Sequence, residues 1–183
     1  MKTRQPNSVL ITSDQHRRSS VGCYGNQDVI TPHMDRMARE GIRFDQCMTV
    51  SPVCSPFRAS PQTGLYPCQT GCREGAITDP GRFKGMGNYL NEAGYSTCFV
   101  GKTHWHRDRR HPREGYVPPE HRMGWCEWYG TPSEVSYHSY LCDDEGSIKE
   151  EFPGQYEPTL QTDWALDFID RQTDGFCGKA ARR

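Results

Sequence analysis

"KGMGNYLNEAGYSTCFVGKTH", residues 84 to 104, sets a helix, a stop, a strand and two basic side chains in immediate succession. Residues 84 to 94 read as a helix ending at Gly94. Glycine suits the position just past a helix because it enters the left-handed region without a Cβ clash. "YSTCFVG" (95 to 101) then reads as a strand, mixing aromatic, β-branched and apolar residues. Lys102 and His104 follow on the loop at its C-terminal edge. In open α/β sheets, ligands bind outside the carboxyl ends of strands. The stretch therefore predicts a fold class and the place of a site.

The same grammar extends outward. "SVLITS" (8 to 13) reads as a short buried strand, and Asp14 falls just past its end. "TPHMDRMAREG" (31 to 41) is a helix with Thr31 as N-cap, Pro32 at the first position and Gly41 past the end. Met34, Met37 and Ala38 give it an apolar stripe for core contact. "IRFDQCMTV" (42 to 50) alternates Ile42, Phe44 and Met48 as a second strand. In "SPVCSPFRASPQTG" (51 to 64) a helix opens with Ser55 as cap and Pro56 at its first position. "TDWALDFIDRQ" (162 to 172) is a helix capped by Thr162, with Trp164, Phe168 and Ile169 on one face. Residues 105 to 160 read as loop-rich, with many Pro, Gly, Trp and Tyr. No internal repeat breaks the order, and strand–helix alternation predicts α/β layers.

Composition narrows the function. The 183 residues suit one domain or part of a larger one, and only 34% are hydrophobic, which points to a fragment or to long surface loops. Net charge is −1, so no global field favours nucleic acid or an acidic membrane. The basic run "HRDRRHPRE" (106 to 114) lacks aromatic interleaving and reads as a solvated loop. No apolar run approaches the roughly 20 residues that span a bilayer. The first residues lack the form of a secretory signal, so a cytoplasmic location is expected. Nine cysteines, an odd number, are expected to be mostly free thiols in that compartment.

Three strand ends and one helix start deliver Asp14, Cys54, Arg58, Lys102 and His104. Together they would make a polyanion site: cations for substrate oxygens, a carboxylate for a metal, and a nucleophile at a helix N-terminus. One reading is a Cys54 thiolate with His104 as base. It lacks an oxyanion hole and a partner to orient His104. Another is a zinc module of Cys68 and Cys72 with His104, His106 or His111, whose spacing is too weakly patterned to stand alone.

Residues 54 to 64 resemble the sulfatase signature, Cys-x-Pro-x-Arg closing with Thr-Gly, here Cys54, Pro56, Arg58, Thr63 and Gly64. The opening strand with Asp14, "GCYGN" (22 to 26), "TPHMDRMAREGIRF" (31 to 44) and "GYSTCFVGKTHW" (94 to 105) resemble the same family in the same order. The resemblance covers nearly the whole chain. It implies the N-terminal part of a mixed central β-sheet flanked by helices, as in the alkaline phosphatase superfamily. It implies one partial catalytic domain over 1–183: a core with the site motifs (1–104), a loop-rich insertion (105–160), and a helix with an aberrant tail (161–183).

The resemblance also assigns chemistry. A formylglycine-generating enzyme would oxidise Cys54 to formylglycine, whose hydrate attacks the sulfur of a sulfate ester and later expels sulfate. Asp14, with the modified Cys54, would bind one divalent cation, Ca2+ with Mg2+ or Mn2+ as substitutes. Arg58 would hold the hydrate, and Lys102 and His104 would bind sulfate oxygens or assist the leaving group. The substrate would be a sulfated small molecule or glycan, with no nucleic-acid or membrane partner.

The sequence departs from the family in places. Gln15 follows Asp14 where sulfatases commonly have a second aspartate. That resembles the branch with choline sulfatases and phosphonate monoester hydrolases, so a phosphate or phosphonate ester is the alternative substrate. Phe57 replaces a small residue, and Pro61 and Gln62 replace two apolar ones. An interior proline removes a helix hydrogen bond, so the helix is expected to bend or end at Pro61. Full sulfatases run well over twice as far. The expectations are thus an incomplete core, an exposed sheet edge prone to association, and little turnover by this chain alone. A non-catalytic remnant is the other alternative.

Overall fold

The computed structural model describes residues 5–73, 75–77, 79–106, 116–131 and 137–174. The chain forms two compact units, Met1–Met48 and Thr49–Arg183.

In the first unit, helix α1 spans Pro32–Glu40, flanked by Thr31 and Gly41 as the sequence predicts. Thr31 does not cap its own helix. Its Oγ1 accepts the Gly22 N–H at 2.8 Å and donates to Asp35 Oδ1 at 3.1 Å. Asp35 Oδ1 also accepts the Cys23 N–H at 2.7 Å. The first turn of α1 thus fixes the "GCYGN" loop. Tyr24 of that loop lies under two guanidinium groups, Arg18 at 4.8 Å and Arg43 at 5.4 Å from the ring centroid. Its hydroxyl donates to the Phe44 carbonyl at 2.9 Å.

Residues 8–13 and 42–50, expected as strands, form none. Val9, Leu10, Ile11, Ile42, Phe44 and Met48 are exposed, as are Met34 and Met37 of α1. A strand exists only through hydrogen bonds to a neighbour. An apolar run marks a face that could be covered, but it does not supply the partner.

The second unit contains helices α2 (Cys54–Thr63), α3 (Pro67–Thr70) and α4 (Met86–Glu92). Strands β1 (Cys98–Lys102) and β2 (Glu127–Thr131) follow, then β3 (His138–Cys142), β4 (Ile148–Pro153) and helix α5 (Glu157–Asp174). β1 and β2 pair in parallel, Cys98 opposite Glu127 through Lys102 opposite Thr131. β3 and β4 pair antiparallel, with an irregularity between Leu141 and Cys142.

Successive side chains of a strand point to opposite faces, and β2 uses both. Trp128 stacks on Phe99 (centroids 4.7 Å, planes 22° apart) and joins the cluster of Ala59, Cys72, Ile77, Trp105 and Met123. The next residue, Tyr129, stacks on Trp164 of α5 at 5.5 Å and joins the cluster of Leu141, Phe152 and Leu160. The parallel pair is therefore a layer between two cores. That is the α/β arrangement the strand–helix alternation predicts.

Two glycines make this packing possible. Gly101 lies in β1 at φ +105° with the Gln161 amide 3.3 Å from where a Cβ would be. Gly87 lets α4 lie on the 124–125 backbone, where a Cβ would sit 2.6 Å from main-chain atoms.

Several element boundaries differ from the sequence reading: α4 and β1 are shorter at their starts than 84 and 95, and Lys102 closes β1 itself instead of lying on the loop after it. Strands β2, β3 and β4 lie inside the stretch read as loop-rich. α5 starts at Glu157 instead of Thr162; Pro158 is tolerated in the first turn, where its missing N–H has no helical acceptor. Thr162 Oγ1 bonds back to the Pro158 carbonyl at 2.7 Å. α2 starts at Cys54 with Val53 as N-cap, and Ser55 is buried inside it. α2 also runs past Pro61 to Thr63 and stops at Gly64 (φ 70°), whose N–H bonds to the Ser60 carbonyl at 2.7 Å. Pro61 thus occupies the final turn, where it forfeits one hydrogen bond without ending the helix. No helix among the described residues is long and apolar enough to cross a membrane. The basic run beyond His106 and the tail from residue 175 lie outside the described residues.

Candidate active site

The site of the second unit forms where the start of α2 meets the end of β1. Cys54 is the first residue of α2, half-buried. Lys102 is the last residue of β1, and its Nζ lies 3.8 Å from Cys54 Sγ. Arg58, one helical turn after Cys54 and on the same face of α2, donates from Nη1 to the Lys102 carbonyl at 2.8 Å. Helix and strand are therefore joined twice at one spot, once through side chains and once through a guanidinium–backbone bond.

The residues after β1 alternate: Thr103 and Trp105 are buried at 2% and 1%, while Lys102, His104 and His106 are half-buried. Trp105 anchors the segment. Its ring meets Phe99 edge-on at 5.0 Å, its Nε1–H donates to the His121 carbonyl at 3.3 Å, and its own carbonyl accepts the Ile77 N–H at 2.8 Å. His104, between two buried neighbours, is held at φ +55° with Nδ1 buried. A non-glycine residue with positive φ is uncommon, and such strain gathers at functional positions. Among the described residues Gln15 and Met123 share it, Met123 as a core residue.

α2 is held down by its buried face, Ser55, Pro56, Ala59, Ser60 and Gln62. Gln62 is 7% exposed and its Oε1 accepts the Trp125 indole N–H at 2.7 Å. The polar replacement noted in the sequence thus has a partner of its own. Sequence reasoning missed this bond and the anchoring role of Trp105. The signals present were a tryptophan after the GKTH stretch and a second one just before β2.

Asp14 belongs to the first unit, exposed, directly before Gln15 at φ +49°. Among the described residues no three His, Cys, Asp or Glu side chains gather as metal ligands. Calcium takes about six to eight oxygens, so the described residues do not complete such a set. The zinc reading fares no better: Cys68 is exposed, and Cys72 is buried with its thiol donating to the Gly75 carbonyl. His111 lies outside the described residues.

The described cysteines are all free thiols. Burial pushes the Cys72 thiol above its ordinary range. Burial, with Glu127 adding and Arg171 opposing, pushes Cys98 up to about 12.

The family model described as Sulfatase matches residues 6–177. The chain is 33% identical over 168 residues to an ulvan-active sulfatase of Formosa agariphila, covering 92% of this chain and 32% of that protein. It is 38% identical over 171 residues to an N-acetylglucosamine-6-O-sulfatase of Bacteroides thetaiotaomicron, covering 93% and 28%. A crystal structure of the YidJ protein from Bacteroides fragilis superposes with a TM-score of 0.70 at 25% identity, over 88% of this chain and 39% of that one. The chain thus spans about a third of the length of the curated relatives it matches.

Proposed function

The chain belongs to the sulfatase family, and from that premise we propose that it carries sulfuric ester hydrolase chemistry centred on residue 54. The observation that supports this most is the convergence of Lys102 Nζ on Cys54 Sγ at 3.8 Å, with Arg58 bonded to the Lys102 carbonyl. In this reading a formylglycine-generating enzyme converts Cys54 to an aldehyde. The hydrated aldehyde supplies one hydroxyl to take the sulfur and another that, on losing its proton, lets sulfate leave.

The surrounding residues prepare for that chemistry. Lys102 sets an ammonium beside the oxygens of the group being transferred, where a fixed charge in a partly dry site counts for more than in water. Arg58 orients Lys102 through its carbonyl, and its planar fork of five donors can also support charge at residue 54. His104, fixed by Thr103 and Trp105, donates a proton to the departing ester oxygen. Asp14 is assigned as one carboxylate ligand of a divalent cation, Ca2+ or in its place Mg2+ or Mn2+, which would polarise sulfate oxygens. Residues 1–104 carry the site motifs of a partial catalytic domain that continues through 105–160 and 161–183.

Relatives named for ulvan and for N-acetylglucosamine 6-O-sulfate favour a sulfated glycan as substrate over a smaller sulfate ester. Gln15 beside Asp14 keeps a phosphate or phosphonate ester as the second reading. The test is hydrolysis of a chromogenic aryl sulfate against the matching phosphate ester, using chain produced together with a formylglycine-generating enzyme. Sulfate should be preferred, and Lys102→Ala and His104→Ala should each lose about 100-fold or more. Preference for phosphate would reverse the substrate assignment. Equal activity of the variants would remove Lys102 and His104 from the mechanism.

A further inference from the structure

The contact between Cys54 and Lys102 has a second chemistry, open only while residue 54 is still a cysteine. We propose that in the unconverted chain these two side chains form a covalent, reducible sulfur–oxygen–nitrogen bridge, with dioxygen as the oxidant. The inference rests on the pair's geometry and goes beyond the conversion to an aldehyde.

The geometry supplies a thiol and an amine 3.8 Å apart, held together by the backbones on either side. Cys54 opens α2, so its position is fixed by the helix. Lys102 ends β1 opposite Thr131, which is fully buried, and its carbonyl is bonded by Arg58 from that same helix. Neither backbone can drift without breaking this 2.8 Å bond, yet the four-carbon stem of lysine is flexible enough to close the remaining gap. Cys54 is half-buried, so dissolved oxidant can reach it. Cys98, near the other end of β1, has its thiol held protonated by burial and is a poor competitor.

The step balances. The Cys54 thiol, the Lys102 ammonium and one dioxygen give the Sγ–O–Nζ link, one water and one proton. The S–H bond and two N–H bonds break, and an S–O and an O–N bond form. Sulfur and nitrogen each give up two electrons, and the four reduce both oxygen atoms, one ending in the link and one in water. Reduction by a dithiol returns the thiol and the amine. While bridged, Cys54 presents no thiol to a converting enzyme and is shielded from deeper oxidation to sulfinic acid.

The test uses the full chain produced without a converting enzyme, held in air-saturated buffer, digested without reductant and read by tandem mass spectrometry. The expected product joins the peptides bearing Cys54 and Lys102, one oxygen heavier and two hydrogens lighter than their sum. Fragment ions place the link at those residues and not at Cys47 or Lys84. It should be lost after dithiothreitol, under anaerobic handling, and in Cys54→Ser and Lys102→Arg, the latter keeping the positive charge. Because the wild-type arms with and without reductant need no variant, misfolding of either substitution leaves the test intact. Sulfenic or sulfinic Cys54 beside unmodified Lys102, a link to another lysine, or an unchanged thiol would each overturn the proposal. None of these would touch the sulfatase reading, which is tested on converted chain.

Discussion

Replacing Gln62 by leucine puts an apolar residue on the buried face of α2, yet the structure predicts that it destabilises this chain. Gln62 is 7% exposed and its Oε1 accepts the Trp125 Nε1–H at 2.7 Å. Leucine leaves the half-buried indole N–H without its acceptor, at a cost toward the low end of about 1–3 kcal/mol. Trp125→Phe removes the donor and orphans the glutamine oxygen at a similar cost. The double variant replaces both polar groups by apolar ones, a change that can be nearly neutral for the bond itself. The two single losses should therefore exceed the double loss by about 1–2 kcal/mol, the coupling of a contacting pair. Urea denaturation measures this. With slopes of about 1–3 kcal/mol per molar for small proteins, a loss of about 1 kcal/mol by Gln62→Leu should lower the midpoint by about 0.3–1 M. All four tryptophans, residues 105, 125, 128 and 164, lie in the Thr49–Arg183 unit, so their fluorescence follows that unit alone. Additive single losses, or a Gln62→Leu chain as stable as the parent, would refute the reasoning.

Other expectations follow from the same packing. Trp105→Ala should cost about 3–5 kcal/mol, the usual loss for a fully buried large side chain, and should loosen His104 as well; a stable variant with normal near-ultraviolet dichroism would contradict it. Pro61→Ala restores an N–H to the last turn of α2 and should raise the urea midpoint, by at most about 3 kcal/mol in stability; a lowered midpoint would show that the ring is needed. Arg171 makes a bidentate pair with Glu127 (2.7 and 3.0 Å) and bonds Asp167 at 2.8 Å. Arg171 and Asp167 are exposed and Glu127 is partly so, so Arg171→Ala should cost about 1 kcal/mol, and less in high salt. The Cys98 thiol is raised from 9.0 to about 12, so the folded state favours its neutral form. That contribution is complete below 9.0 and is lost as pH rises toward about 12. Cys98→Ala should flatten the fall in stability over that window, and an unchanged alkaline arm would count against the burial argument.

The elements that place the site were legible because their signals are local. Gly94 ends the helix before β1, and the strand's apolar run delivers Lys102 to its carboxyl edge. Pro32 and Gly41 likewise bracket α1. Where the outcome depends on distant partners, the chain alone said less. Residues 8–13 and 42–50 have the composition of strands, but no ladder forms among the described residues. Conversely, "EWYGT" and "IKEEFP" lack a clean alternation, and pairing with β1 and β3 makes them strands. α2 starts one residue before the expected cap, with Val53 as N-cap and Ser55 buried in its first turn. Gln62 departs from the apolar pattern of the resemblance, and the partner that accommodates it, Trp125, is distant in sequence. Arg58, Lys102 and Cys54 were each identifiable, but the bond from Arg58 to a main-chain carbonyl is a product of folding that no motif spells out.

The central claim is that residue 54 is a cysteine destined to become an aldehyde beside Lys102. Its most direct measurement is the mass of the peptide containing Cys54 after production with a formylglycine-generating enzyme. The predicted result is a peptide in which oxygen has replaced sulfur and two hydrogens are lost, absent when the enzyme is omitted. An intact thiol at that position in both preparations would contradict the account.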